Sequence, residues 1–310
     1  DEVRDPGGAA LPLRRGPDGF FHADPAFPRL LRIATTANDI ARAADRGIYH
    51  IDMTPGFPGD QDGPLLAGCR RAGAANVFLW PMPWIHRLGN DGHLGRPGRA
   101  DPPFPAKQDR AVFRGGLSGY ALDPEGQPLR PAHEVVGDVL VGASKADLRA
   151  VTRVALALRH AGAADIDIGL TPDARGERAM HRAGLSHLIA ARGGDDFLLS
   201  HRYLVCLGAT SGPEDFLPLA NSHSVVLLEE DGWEMFSRAL FKPWQHYIPL
   251  RHGGGDLPER LAWARANPGE CQQISARARA LCRLLGDRRA RQDQLARILR
   301  HYRLATGQGA

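Results

Sequence analysis

The 310-residue chain has no apolar run of about 18 residues, which excludes a helical membrane span. Cysteine is sparse: Cys69, Cys206, Cys271 and Cys282 form no C-x-x-C pair, and two of them lie in strongly apolar or helical surroundings, which reads as buried thiols in a reducing compartment. Gly 36 and Pro 24 together stay below the share (~25–30%) that marks low-complexity chains. No H-E-x-x-H occurs, and the histidines lack metal-ligand spacing. Gly137 and Gly142 have P-loop spacing, but Ala143 stands where the lysine belongs. The sequence Gly116-Leu117-Ser118-Gly119-Tyr120 lacks the second glycine of a nucleophile elbow. The first residues, from Asp1, show no signal-peptide core. No internal repeat is present.

Lysine is the other scarcity. Only Lys107, Lys145 and Lys242 occur, so arginine supplies almost all of the 39 basic residues. Codon bias in a GC-rich genome accounts for that. A functional alternative is bidentate binding of anions by guanidinium groups. Net charge +4, 43% hydrophobic and 24% charged residues describe an ordinary globular protein. At this length two domains are expected rather than one.

Residues 1–28 read as an irregular arm and 29–45 as a helix. Strands are expected at 48–53, 76–80, 111–113, 166–168, 203–207 and 224–228. Helices are expected at 145–160, 174–183, 232–240, 268–285 and 287–303, with Asp256 capping another start at Leu257-Pro258. Alternating strands and helices imply parallel β/α units. The Gly-, Pro- and Asp-rich stretch 91–107 reads as a linker.

Two loops could carry chemistry. Phe113-Arg114-Gly115-Gly116-Leu117-Ser118-Gly119 leaves a strand, and its small residues admit a bound group close to the backbone. It is either a nest for a diphosphate, with Arg114 supplying a fork of donors, or a tight turn with Arg114 in a salt bridge. The strand Tyr203–Leu207 opens onto Gly208-Ala209-Thr210-Ser211-Gly212-Pro213-Glu214-Asp215, at the strand end where open α/β sheets bind ligands. Asp165-Ile166-Asp167 has the form of a metal-binding pair, but reads better as a strand.

Tyr203 to Ser275 resembles the C-terminal half of glycosyltransferase family 90, which holds lipopolysaccharide- and capsule-modifying enzymes and protein O-glucosyltransferases. The residues that carry the resemblance are Gly208, Ser224-Val225-Val226-Leu227, Trp233-Glu234, Lys242-Pro243-Trp244-Gln245-His246-Tyr247-Ile248-Pro249, and Asp256-Leu257-Pro258-Glu259 with Trp263. Phe113-Arg114-Gly115 and the segment from Asn76 to Trp84 fit as well. The acidic Glu214-Asp215 resembles bacterial members. Leu117 and Leu122 stand where eukaryotic members carry arginine.

The resemblance implies an α/β protein of GT-B type, with two Rossmann-like domains facing a cleft and C-terminal helices. Residues 1–105 would form the acceptor-side domain and 106–285 the nucleotide-sugar domain, with 286–310 packing back on the first. It implies transfer of a sugar from a UDP-sugar to a hydroxyl of a surface polysaccharide, lipopolysaccharide or similar glycan, inverting and without metal or other cofactor. A degenerate nucleotide-sugar or glycan-binding protein of the same fold is the alternative. Arg114, Gly115, Gly116, Ser118, Gly119, Gly208, Ser211, Glu214 and Asp215 would bind the donor, together with a further arginine the sequence does not identify. The expected base is Asp52, at a strand end, with Asp60 and Asp62 as alternatives, because Phe57-Pro58 follows Gly56 rather than an aspartate. Trp80, Trp84 and Trp244 are core aromatics or stacking platforms. His246 and Tyr247 are expected to order their loop. The implied location is cytoplasmic, with a peripheral membrane contact. No aromatic-basic module suggests nucleic acid.

Overall fold

The computed structural model describes residues 3–309 except 6, 25, 44–46, 55, 57–58, 82–100, 124–125, 127, 144–145, 210–211, 213–214 and 237. The chain divides into two compact units, one of residues 1–95, 234–239 and 284–310, the other of residues 96–233 and 240–283.

In the first unit, helix α1 (Pro28–Ala43) precedes three short parallel strands, β1 (Ile51–Asp52), β2 (Leu65–Ala67) and β3 (Val77–Leu79), in the order β1-β2-β3.

The second unit is built on five parallel strands: β4 (Gln108–Gly115), β5 (Ile166–Leu170), β6 (His201–Cys206), β7 (Val225–Glu229) and β8 (Ile248–Leu250). Strands covered on both faces need continuous apolar runs rather than alternation. Ala111-Val112-Phe113, Tyr203 to Cys206 and Val225 to Leu228 meet that need, and all are buried. The expected parallel β/α arrangement is therefore present. The lateral order is β5-β4-β6-β7-β8, with every neighbouring pair parallel. Helices α2 (Ala132–Val141), α3 (Thr152–Arg159), α4 (Ala174–Arg182) and α5 (Leu257–Ala266) belong to this unit. Val135, Val136, Leu156, Met180 and Leu261 join its core.

Helix α6 (Pro268–Gly286) follows, and α7 (Arg288–Ala305) lies in the first unit. The Tyr302 hydroxyl on α7 accepts from the His50 N–H at 2.8 Å and donates to Pro64 O at 3.1 Å. Arg291, fully buried, donates to the Leu285 and Gly286 carbonyls at 3.3 and 3.1 Å, capping the end of α6. No helix of the described residues is long and apolar enough to cross a membrane.

Several elements differ from the sequence expectation: the helix expected over 145–160 starts only at Thr152, after a 3-10 turn (Leu148–Ala150), and α2, β2 and β8 were not among the expected elements. Residues 232–240 do not form a helix. Gly232 (φ 75°) turns the chain, Asp231 Oδ1 accepts from the Trp233 N–H at 3.0 Å, and a strand (Trp233–Met235) and a 3-10 turn (Arg238–Leu240) follow. Asp256 precedes α5 without capping it through its side chain. Its carboxylate instead accepts from the Arg251 N–H at 2.9 Å and from Arg260 Nε at 3.0 Å. Of the expected linker, residues 91–100 lie outside the described residues. Residues 101–107 are anchored to the second unit, where Lys107, buried, donates to Asp101 at 2.5 Å and to the Leu199 carbonyl.

Candidate donor crevice at the sheet switch point

In a doubly wound sheet the ligand crevice opens where the strand order reverses, outside the carboxyl ends of the strands. The order here reverses between β4 and β6. The loops at that point are Gly116–Gly119 after β4 and Leu207–Ala209 after β6. They approach closely. Gly119 has φ +92°, and a Cβ there would stand 3.3 Å from Gly208 O and 3.3 Å from Thr152 Oγ1. A Cβ on Gly208 would collide with the Asp231 carboxylate. Glycine is therefore required at 208 by packing and at 119 by conformation.

Arg153, in the first turn of α3, lies beneath both loops and is 7% exposed. Its Nη1 donates to Gly116 O at 3.0 Å, and its Nη2 to Leu207 O at 3.0 Å and Gly208 O at 2.8 Å. Burial pushes its pKa down, while the Glu229, Asp215 and Asp231 carboxylates act to raise it. Glu229 is also buried. It accepts from the Gly208 N–H at 2.7 Å, from His252 Nδ1–H at 2.7 Å and from the Gly253 N–H at 2.7 Å. Both polar backbone groups of Gly208 are thus engaged inside the protein.

The loop after β4 differs. Gly116 gives its carbonyl to Arg153 and Gly119 gives its own to the Ala132 N–H at 2.9 Å. Among the described residues, none accepts from the N–H groups of Gly116, Leu117, Ser118 or Gly119. Successive unengaged amides at a strand end can bind an anion.

Arg114 does not offer its fork to this loop. Its Nη1 and Nη2 grip the two oxygens of Asp167 at 2.8 and 2.9 Å, its Nη1 also donates to Phe113 O, and the guanidinium lies 4.4 Å over the Phe197 ring. Of the two readings of the loop's arginine, the salt bridge is the one observed. Asp167 is pushed up by burial, but the Arg114 hydrogen bonds and the Arg114 and Arg110 charges bring it below the usual carboxylate range. Asp165 is held by Arg265 at 2.6 Å. The Asp-x-Asp pair therefore consists of two salt-bridge partners.

The remaining expected site residues are dispersed. Gly115 ends β4, its carbonyl accepting from the Thr171 N–H at 2.8 Å, and Asp215 is exposed beyond the Gly208 loop. Ser211 and Glu214 lie outside the described residues, as do Phe57, Pro58 and Trp84. Asp52 is in the first unit, at the end of β1, where its Oδ1 accepts from the Thr54 N–H at 2.7 Å. It lines a cavity of about 2380 Å³ within that unit, beside Tyr49, Met53 and α1 residues, with Arg4, Arg15, Arg29, Arg32 and Arg303 also on its walls.

Trp80 is fully buried in the core. Trp244 has φ 64° and packs edge-on against Trp263, with centroids 4.7 Å apart. His246 Nδ1 accepts from the Lys242 N–H at 2.9 Å, and Tyr247, buried, donates to Glu230 at 2.7 Å. These two hold the Pro-Trp loop in shape. Arg153 is the member of the crevice that the sequence reading missed. In the helix expected over 145–160 it stands in the middle, and only the observed start at Thr152 puts it in the first turn.

The sheet defines an open, parallel α/β unit whose strand order reverses between β4 and β6. Residues 199–288, which run from β6 to the start of α7, match the model of Glycosyl transferase family 90. The chain is 29% identical over 184 residues to Uncharacterized protein 027R of Frog virus 3 (isolate Goorha), covering 56% of this chain and 18% of that protein. It is 36% identical over 78 residues to Uncharacterized protein 035R of Invertebrate iridescent virus 3, covering 24% and 7%. To Protein O-glucosyltransferase 3 of Mus musculus it is 31% identical over 75 residues, covering 24% and 15%. Each match spans less than a fifth of the relative's own length. Among solved structures, sucrose-phosphate synthase from Thermosynechococcus elongatus aligns with 76% of this chain and 54% of its own at 10% identity, but with a TM-score of only 0.36. The segment that matches the family model includes Gly208 and the loop after β6.

Proposed function

We propose that the chain is a glycosyltransferase of GT-B type, moving a sugar from a UDP-linked donor to a hydroxyl of a surface polysaccharide, lipopolysaccharide or similar glycan. The diphosphate lies over the Gly116–Gly119 amides. Asp215 accepts from hydroxyls of the sugar or ribose, since a carboxylate repels phosphate but welcomes O–H donors. In an inverting transfer the acceptor oxygen attacks the anomeric carbon, the bond to the diphosphate breaks, and a carboxylate takes the acceptor's proton. Asp52 is the candidate base. The cavity it lines, with five arginines on its walls, is suited to an anionic acceptor. In this proposal no metal takes part, and the enzyme works in the cytoplasm against a membrane-associated glycan.

The observation that carries the proposal is the run of unengaged amides at the switch point, opposite a loop within the family-matched segment. Calorimetric titration of the full chain with UDP, UDP-glucose and UDP-xylose tests it. Saturable binding of at least one is expected, and no binding of any would sink the donor assignment. Asp52→Ala is expected to abolish transfer while UDP still binds; full transfer by that variant removes Asp52 from its role. A nucleotide-sugar-binding protein without transfer is the second reading, favoured by the tie between Asp52 Oδ1 and the Thr54 N–H. Donor hydrolysis or transfer to any acceptor rules it out.

A further inference from the structure

A buried cation in the first turn of a helix is unfavourable on two counts, desolvation and the positive end of the helix dipole. Arg153 accepts both penalties at the switch point. Its guanidinium bonds to no side chain among those described and instead reaches three backbone carbonyls on two loops. Lysine carries the same charge as a compact ammonium and cannot reproduce a planar fork spanning these acceptors.

The consequence follows from peptide geometry. In a planar trans peptide the C=O and the following N–H point in opposite directions. Three peptides have their carbonyls drawn toward Arg153. Behind the Leu207 carbonyl, the Gly208 N–H is taken by Glu229; behind the Gly208 carbonyl, the Ala209 N–H donates to Gly212 O at 3.1 Å. Behind the Gly116 carbonyl stands the Leu117 N–H, which no described residue accepts. Leu117 is the point where the resemblance leads one to look for an arginine, and its own side chain packs against the apolar core.

We propose that Arg153 is a positioning residue: by holding the Gly116 carbonyl inward it turns the Leu117 N–H outward, as a fixed donor to the diphosphate of the nucleotide. The inference rests on the donor assignment above, and adds that the backbone of the β4 loop, aligned from beneath, does the work of a side-chain cation. Arg153 itself never touches the ligand. The carboxylates of Glu229 and Asp231, both buried, and of Asp215 act on its charge.

The test uses the full chain, with UDP as probe and two readouts. The first is calorimetric affinity for wild type, Arg153→Lys, and Arg153→Gly with and without added guanidinium. The second is the amide resonance of Leu117 during a UDP titration of wild type. Expected is a loss of affinity of about tenfold or more in Arg153→Lys, the worth of one hydrogen bond to a charged group. Guanidinium is expected to restore binding to Arg153→Gly, and the Leu117 amide to shift on binding. If wild type binds UDP and folded Arg153→Lys binds it equally well, the positioning role is overturned and the donor assignment stands. If wild type binds no UDP, the donor assignment itself fails. If the variants do not fold, the wild-type amide decides: a shifted Leu117 supports the proposal, and a Leu117 unmoved while other crevice amides shift overturns it.

Discussion

At the scale of single residues, arginine works here chiefly on other parts of the protein. Arg114 holds Asp167, Arg291 caps α6, and Arg265 joins Asp165 to Asp109. The Arg114–Asp167 pair makes a testable case because both partners are mostly buried, at 11% and 21% side-chain exposure. Removing one partner leaves an uncompensated charge, which is strongly destabilising. Asp167→Asn is expected to lower the unfolding free energy at pH 7 by about 2–4 kcal/mol, read by urea denaturation. The sign of its pH dependence follows from the lowered carboxyl. Stability from this group is present above its unfolded value near 3.8 and is lost as pH falls through the lower folded value. Wild type and variant should therefore converge in acid. A difference that stays constant down to pH 2 would show that the ion pair is not its source.

At the scale of elements, legibility depended on how completely local pattern matched final environment. The strands at Tyr203–Cys206 and Val225–Leu228 were readable because both faces are covered, leaving unbroken apolar runs. Strand β8 was seen only as a motif because Pro249 interrupts it. The structure tolerates that proline because β8 is the last strand in the order and an edge needs fewer N–H donors. Helix α2 was missed. Its buried Ala132, Val135, Val136 and Val139 do keep the i, i+3, i+4, i+7 spacing of a helix face, but Gly137 and the β-branched valines lower its helix propensity. Arg153 was invisible for another reason. Nothing local separates it from exposed Arg149, four residues earlier; only the arrival of residues 207–208 from another strand buries it. Helix α7 was expected to pack back on the N-terminal part, and Tyr302 provides the test of that docking within the first unit. Its hydroxyl serves two backbone groups, so Tyr302→Phe would leave the His50 N–H and the Pro64 carbonyl without it. A loss of about 1–3 kcal/mol is expected, seen as a lower Tm, with secondary structure by circular dichroism unchanged. No change in Tm would show that water replaces the hydroxyl and that α7 is held by packing alone.

At the scale of the whole molecule, both units bury their thiols. Cys69 belongs to the first unit and Cys206, Cys271 and Cys282 to the second, and all four are thiols at most 2% exposed. Burial raises the pKa of Cys271 and Cys282 to about 12 and puts Cys206 well above its usual value. A thiol reacts as its thiolate, so burial suppresses reactivity twice, through access and through ionisation. The strongly apolar or helical surroundings of two of the four already pointed that way in the sequence. Cys206 also closes β6, next to the Leu207 and Gly208 carbonyls that Arg153 holds, so its reactivity reports on the crevice. A colorimetric thiol reagent at pH 8 is expected to titrate all 4 cysteines in denaturant and essentially none in the native protein over minutes. Mass mapping would identify any exception. Rapid labelling of Cys206 in otherwise folded protein would mean that the β6 end opens and that the crevice wall is not preformed. If UDP then slowed that labelling, ligand binding would be closing the same wall.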